Sequence, residues 1–277
     1  MFSFLSTFFE KKQIDCFGML PLESCKLVRP YLLEKHGLKE SGTVIVLAVP
    51  YYTQSCDSPD RNLSAYATCR DYHLFYKQLF DELIPLLQNA FPNHRFAGFA
   101  DHSPIDELDA AAKAGLGVIG KNHLILTKKY SSYVFLGELI TDAVLPCEEK
   151  KIDSCENCGA CMQSCPAGEC NGCLSALTQK KGALSDGEQE AILKYGTVWG
   201  CDICQEVCPH TKRAKENGTI YSPIPFFCEH TIPNLTLSQL DRMTDEEFYT
   251  RAFAWRGRDT VRRNVSLSER KQEEKGC

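Results

Sequence analysis

The stretch Cys155-Glu-Asn-Cys158-Gly-Ala-Cys161-Met-Gln-Ser-Cys165-Pro166 decides how this sequence is read. Its C-x2-C-x2-C-x3-C-P spacing wraps one loop of backbone around an iron-sulfur cubane and sends the fourth thiolate to a neighbouring cluster. Farther on, Cys201, Cys204 and Cys208-Pro209 repeat the C-x2-C-x3-C-P half of the pattern. In two-cluster ferredoxins each run gives three thiolates to its own cluster and one to the other. On that count Cys155, Cys158, Cys161 and Cys208 hold one 4Fe-4S cluster, and Cys165, Cys173, Cys201 and Cys204 hold the second. Cys170 is the alternative to Cys173; Cys173 is preferred because Cys170 lies closer to the tight Cys165-Pro-Ala-Gly168 exit.

Two other uses of paired cysteines compete. Disulfide frameworks belong to small secreted chains, whereas 277 residues with 43% hydrophobic content can build a core without staples. Zinc needs four ligands and leaves a third cysteine at C-x2-C-x2-C, and both following prolines, unexplained. Of the 16 cysteines, Cys16, Cys25, Cys56, Cys69, Cys147, Cys228 and Cys277 have no partner at ligand spacing and read as small apolar or surface residues.

Outward from the cysteines, the chain falls into three parts. Thr43-Val-Ile-Val-Leu-Ala-Val-Pro50 is a continuous apolar run ended by proline, as in a buried strand. Residues 66–91 carry apolar positions at helical spacing, interrupted by Pro85. A short strand over 95–100 delivers Asp101, a helix over 105–114 stops at Gly115, and two strands are expected at 123–127 and 132–140. This alternation gives an α+β first domain over 1–142. The polar linker 143–153 opens a cluster domain over 143–218, in which Ser185 and Glu188 form a capping box. An extended, proline-rich piece and a helix with a polar tail fill 219–277, with a helix over 238–253. The apolar start of the chain meets Glu10-Lys11-Lys12 too soon for a signal peptide and reads as an amphipathic helix. No membrane span is visible, and free thiols without an export signal place the chain in the cytoplasm.

A net charge of -5 argues against a surface that grips nucleic acid everywhere. The basic segment containing Arg251, Arg256, Arg258, Arg262 and Arg263 could meet phosphates; an exposed, solvated helix is the preferred reading.

In order along the chain, five further segments resemble the epoxyqueuosine reductase family. They are Ser64-Ala-Tyr66 with Arg70-Asp-Tyr-His73, Asp101-His-Ser-Pro104, Ala114-Gly-Leu-Gly-Val-Ile-Gly-Lys-Asn122, Phe135-Leu-Gly-Glu-Leu-Ile-Thr-Asp142, and the second cysteine set. The resemblance implies a nitroreductase-like cobalamin-binding domain followed by a ferredoxin-like domain with two 4Fe-4S clusters. It also implies a reaction: the clusters reduce a base-off cobalamin, which acts on epoxyqueuosine in tRNA to give the alkene of queuosine and water. Reduced ferredoxin or flavodoxin is the expected electron donor, tRNA the partner, and the monomer the expected state.

By the same resemblance Asp101 is the proton donor. Expelling an epoxide oxygen leaves an alkoxide, so a general acid beside the ring is worth roughly 10² to 10⁴ in rate. A free aspartate is ionised at neutral pH, so burial or the cofactor must raise its pKa. Without the resemblance, Asp101 reads as a helix cap. Tyr66, Tyr72, His73, Lys121, Asn122 and His123 are the expected cofactor contacts, with neither His73 nor His123 needed as a cobalt ligand. Gly115, Gly117 and Gly120 have Gly-x-Gly-x-x-Gly spacing but follow a helix, the wrong setting for a dinucleotide site. Plain turn geometry is the competing explanation.

Family members continue beyond the Arg-x-x-Arg-Asn segment into a helical repeat domain that helps grip tRNA. This sequence stops soon after Arg263-Asn264, so a weaker grip on tRNA is expected. Two alternatives follow: a corrinoid-dependent reductase of another small substrate, and a ferredoxin-type electron carrier.

Overall fold

The computed structural model describes residues 1–168 and 172–275. It forms two compact units that interleave along the chain. The first comprises residues 1–50, 72–158 and 214–224, and the second 51–71, 159–213 and 225–277. The linear boundaries expected after 142 and 218 differ from this division, because excursions of the chain at 51–71 and 214–224 cross from one unit to the other. Within the described residues no helix is long and apolar enough to cross a membrane.

The first unit is mixed helix and sheet. Its four-stranded sheet has the order β1-β2-β6-β3, formed by β1 (Phe17–Pro21), β2 (Thr43–Pro50), β3 (Phe96–Phe99) and β6 (Val134–Thr141). All three pairings are antiparallel. All eight residues of β2 are buried, which is why no polar side chain follows Thr43 in it even though the sheet is antiparallel. One face packs Val44, Val46, Ala48 and Ile140 against Ala110, Ala111 and Ala112 of the Glu107–Lys113 helix.

The Tyr72–Ala90 helix lies against the same sheet, with Pro85 inside it. Two glycines let it approach. A Cβ on Gly98 would come within 2.3 Å of the Phe80 ring, and one on Gly137 within 2.4 Å of Tyr76. Tyr76 itself donates to the Phe135 carbonyl at 3.0 Å, fixing the helix over β6. The expected 66–91 helix is therefore two helices, Ala65–Thr68 and Tyr72–Ala90, with Cys69 at the end of the first in extended backbone.

Two strands went unpredicted. β1 is an edge strand, short and bearing Gly18 and Pro21, so it lacks the β-branched run that marks β2. The glycine-punctuated segment expected as a loop is β4 (Gly117–Ile119), paired with β5 (Ile125–Thr127). A Cβ at Gly117 would meet the Leu126 carbonyl at 2.4 Å, so this glycine serves strand pairing.

The second unit is built from short helices around Leu63, Val198, Trp199, Leu240, Phe248 and Val265. The expected capping box is present: Ser185 accepts the Glu188 N–H and Glu188 accepts the Ser185 N–H at the start of the Asp186–Tyr195 helix. The helix expected over 238–253 is split into Leu237–Arg242 and Asp245–Phe248, each with its own capping box, because Thr244 caps a new start. A short helix, Pro225–Cys228, interrupts the segment expected to be extended.

The basic segment is not a free solvated face. Arg251 is buried and donates to the His230 carbonyl at 2.6 Å, Arg258 donates to the Leu240 carbonyl at 2.7 Å, and Arg262 pairs with Asp241. Arg263 donates to the Lys180 and Gly182 carbonyls. Helix ends and loops leave carbonyls without partners, and these arginines supply donors.

Gly137→Ala should drive the Tyr72–Ala90 helix off the sheet and destabilise the protein by about 1–3 kcal/mol, the usual cost of overpacking, read as a lower midpoint in denaturant titration.

Candidate functional site

The end of β3 and the start of the Tyr72–Ala90 helix meet in the first unit, and three of the expected site residues meet there. Asp101 follows β3 with φ 59°, in the left-handed region that non-glycine residues seldom occupy. Its carboxylate accepts a hydrogen bond from the Tyr72 hydroxyl and lies 3.3 Å from His73 Nε2. Tyr72 is in turn held flat, its ring stacked on Phe135 with centroids 4.1 Å apart and planes at 11°. A cavity of about 610 Å³ opens beside these groups, with His73, Phe80, Phe99 and Ala100 in its wall.

Behind Asp101 stand two carboxyl groups that sequence reasoning did not single out. The Glu107 carboxylate accepts the Asp101 amide N–H at 2.8 Å and so pins the left-handed turn. Glu138 lies in the middle of β6, paired with Val46 on one side and Phe99 on the other. It is 0% exposed, and Ser103 and Glu107 are its hydrogen-bonding neighbours. The sequence did hold a signal: Phe135-Leu-Gly-Glu-Leu-Ile-Thr puts one acid in an otherwise buried strand, where an isolated charge is costly.

The electrostatics separate these acids. Burial opposes ionisation of Asp101, but hydrogen bonds from His73 and Tyr72 outweigh it and hold its carboxyl below the usual value. Glu107 is pushed up to about 7, first by burial and then by the Asp101 charge, against hydrogen bonds from Glu138 and the Asp101 amide and the pull of Arg29. Glu138 is pushed far above the carboxylate range by burial and by the nearby Glu107 charge. The expectation that the Asp101 pKa is raised by its protein surroundings is thus reversed: proton retention belongs to its two neighbours.

The remaining expected contacts lie elsewhere. Lys121, Asn122 and His123 form the turn between β4 and β5, where His123 N–H reaches the Gly120 carbonyl at 2.9 Å. His123 shares the left-handed backbone of Asp101, with φ 58°. Lys121 and His123 are exposed, and the buried Nδ2 of Asn122 has no hydrogen-bond partner among the described residues. Tyr66 belongs to the second unit, packed on the cluster around Trp199 and beside Gln179.

All eight expected cluster cysteines lie among the described residues. None is fully buried. In the second unit the Ala160–Gln163 and Ile203–Glu206 helices, which carry Cys161 and Cys204, pack on each other. The Cys201 thiol is pushed up to about 12, by burial first and then by the neighbouring charges, Asp202 foremost, against a backbone hydrogen bond from Ile203. Bound iron inverts that preference, since a coordinating thiol is deprotonated. Cys170 lies outside the described residues. Among the described residues no three His, Cys, Asp or Glu side chains converge on a single metal ion.

Asp202 anchors the second cysteine loop. Its carboxylate, nearly fully buried, accepts from Arg61 at 2.5 Å and from the Ala65 amide at 2.6 Å. Gly200, at φ 76°, lies so close to Ser64 that a Cβ would stand 1.9 Å from its hydroxyl. The Ser64-Ala-Tyr66 and Gly200-Cys-Asp202 segments therefore act as one piece of packing. A separate cavity of about 560 Å³ in this unit is lined by Arg70, Arg242, Arg251 and His230, with Glu246 and Glu247.

Comparison with known proteins gives these sites a class and then a family. A family model described as "Epoxyqueuosine reductase QueG, DUF1730" matches residues 35–102. The epoxyqueuosine reductase of Lactococcus garvieae is 30% identical over 252 residues, covering 84% of this chain and 70% of that protein. That of Gloeobacter violaceus is 34% identical over 217 residues, covering 74% and 68%. Among solved structures, the Streptococcus thermophilus enzyme superposes with a TM-score of 0.77 at 22% identity, covering all of this chain and 82% of that one. A further epoxyqueuosine reductase, solved with an epoxyqueuosine-modified tRNA-Tyr stem loop, gives 0.74 at 24% identity, covering 96% and 81%. The chain is an oxidoreductase. It belongs to the epoxyqueuosine reductase family.

Two measurements test the site's electrostatics and packing. A carboxyl whose folded pKa is raised binds more protons folded than unfolded between the two values, so its effect on stability worsens as pH rises through that window. Glu138→Gln should therefore raise the melting temperature relative to wild type by several degrees at pH 8 and by little at pH 5. Arg61→Met should leave the Asp202 charge buried without its ion-pair partner, costing about 3–5 kcal/mol in a denaturant titration.

Proposed function

We propose that this chain reduces epoxyqueuosine in tRNA to queuosine, with two 4Fe-4S clusters and cobalamin as cofactors. The observation that carries the reading is the Asp101 constellation: an acid in left-handed backbone at a strand end, gripped by Tyr72 and His73 beside a cavity. Family membership supports the substrate, as does a relative solved with an epoxyqueuosine-modified tRNA stem loop. A Bacillus subtilis relative is described with the loop of its catalytic aspartate swung out of the active site, a behaviour that suits a residue held by a few polar contacts on a turn.

The first unit corresponds in this reading to a nitroreductase-like cobalamin domain, and the cysteine sets to a ferredoxin-like domain. Cys155, Cys158, Cys161 and Cys208 take one cluster, Cys165, Cys173, Cys201 and Cys204 the other; the all-thiolate donor set suits iron-sulfur binding. Cobalamin, when bound, supplies the low-potential two-electron chemistry at the substrate carbon. Tyr72, His73, Lys121, Asn122 and His123 are the residues proposed to hold it, the unpartnered Asn122 amide being the strongest pointer. Tyr66 is proposed to steady the cysteine loop of its own unit.

In this reading Asp101 would deliver a proton to the departing epoxide oxygen, which requires its carboxyl, held low by His73 and Tyr72 in the protein alone, to be raised when the electron-rich cofactor is bound. Tyr72 and His73 keep its carboxyl oriented, and the Glu107 contact keeps its backbone in place. The arginine-lined cavity of the second unit offers positive charge to tRNA phosphates. Electrons come from reduced ferredoxin or flavodoxin in the cytoplasm.

The test is anaerobic reconstitution with iron, sulfide and cobalamin, then turnover of epoxyqueuosine tRNA. Near eight irons, retained cobalt and conversion to queuosine are expected; eight irons with no retained cobalt would identify an electron carrier instead. Asp101→Asn should keep both cofactors and lose roughly 10² to 10⁴ in turnover rate.

A further inference from the structure

The second unit sets two like charges against each other. Arg70 and Arg251 are the two partners of an isolated antiparallel bridge, beside which the Asp71 N–H donates to the Thr250 carbonyl at 2.8 Å. Residues directly opposite in an antiparallel pair have Cα atoms roughly 4.5–5.5 Å apart and send their side chains to one face. Like charges in that position are destabilising. Both arginines line the same cavity of about 560 Å³, a size that admits a small ligand.

Carbonyls, not carboxylates, hold these guanidinium groups. Arg251 is 8% exposed, and its Nη1 donates to the His230 carbonyl at 2.6 Å. Its buried Nε has no hydrogen-bond partner among the described residues. Arg70 lies over the Phe226 ring, 4.1 Å from the centroid, and its Nη2 donates to the Phe226 carbonyl at 3.4 Å. The Arg70 Nε is likewise buried and without a partner among the described residues. The Glu229 carboxylate stands 3.8 Å from Arg70, beyond hydrogen-bond reach, and is itself exposed. Of the acids in the cavity wall, Glu246 is exposed and Glu247 is engaged as a cap, accepting the Thr244 N–H and hydroxyl.

A buried charge without a counter-ion is costly, and neutral carbonyls leave the repulsion across the bridge in place. An anion between the two side chains removes both costs at once. The guanidinium fork matches phosphate oxygens bidentately, and Arg242 in the same wall adds a third positive charge. We infer that Arg70 and Arg251 clamp a single phosphate group in this cavity. Two sources share that chemistry: a backbone diester of RNA, which rests on the tRNA reading above, and a small phosphate monoester, which does not.

Inorganic phosphate titrated into the reconstituted, desalted full chain at constant ionic strength is the direct probe. Calorimetry should show one phosphate per chain, and the Nε–H resonances of Arg70 and Arg251 should shift together in nitrogen-15 spectra. Arg251→Gln and Arg70→Lys should each weaken phosphate binding at least roughly tenfold. Exchanging chloride for phosphate should raise the melting temperature of wild type more than that of either variant, since the general stabilising effect of phosphate is common to all three. Arginines with a purely structural role give no phosphate isotherm and lower stability equally in both salts, a result that overturns the clamp. Equal phosphate binding by wild type and a folded variant overturns it as well. Where neither variant folds, the wild-type resonances give the answer: shifts at both arginines support the site, and unmoved signals sink it.

A tRNA stem-loop RNA then separates the sources. Competition by phosphate, with weaker RNA binding by Arg251→Gln and a salt dependence shallower by about one phosphate contact, identifies the backbone diester. Unchanged RNA affinity in a variant that has lost phosphate identifies a small phosphorylated ligand. A wild-type enzyme that binds phosphate at the two arginines yet leaves epoxyqueuosine unreduced keeps the clamp and removes only its RNA source.

Discussion

The seating of the Tyr72–Ala90 helix on two bare patches of the sheet is the contact from which the site follows. Gly98 and Gly137 have no side chain to keep Phe80 and Tyr76 away, so the helix axis comes close enough for Tyr76 to reach the Phe135 carbonyl. That depth puts Tyr72 flat on Phe135 and His73 beside the end of β3. Asp101 needs both neighbours: its left-handed backbone is costly, on the order of 1 kcal/mol or more, and only several independent contacts hold such a residue in one conformation. The Glu107 carboxylate from behind and the Tyr72 and His73 side chains in front are those contacts.

The same sheet carries a cost that packing alone does not explain. Register places Glu138 on the face shared by Val134, Leu136 and Ile140, opposite the alanine-rich face of the Glu107–Lys113 helix. A leucine there would fill space without any desolvation penalty. An acid at that position is held in the neutral form, because burial and the nearby Glu107 charge push its pKa far above the carboxylate range.

Sequence legibility followed the strength of local signals. Thr43–Pro50 was unmistakable because every residue is buried, and the Ser185/Glu188 capping box because its chemistry is local. β1 and β4 were missed for the opposite reason: they are short, and their glycines meet tertiary partners, Ala114 and Leu126, that no local pattern reveals. The Glu107–Glu138 pair could not be read from the sequence, since Glu107 opens a helix, Glu138 lies in β6, and only the packing of that helix on the sheet brings the two acids together. The arginines of 251–263 misled because their charge suggested solvent, while carbonyls at helix ends and loops engage most of them.

The interleaved path of the chain bears on how the cysteine loops depend on folding. The division between units falls between Cys158 and Gly159, inside the first cysteine set, and residues 51–71 belong to the second unit. Arg61 and the Ala65 amide bind Asp202, which sits between Cys201 and Cys204, so this loop is fastened by a segment more than a hundred residues earlier. A cluster loop alone gains little from its own short helices, four residues each at Ala160–Gln163 and Ile203–Glu206, well below the length at which a helix is stable by itself. Its rigidity comes from the 51–71 excursion. The Ser64-Ala-Tyr66 segment therefore bears on the second cysteine loop through packing: it lies against Gly200, and the Ala65 amide donates to Asp202.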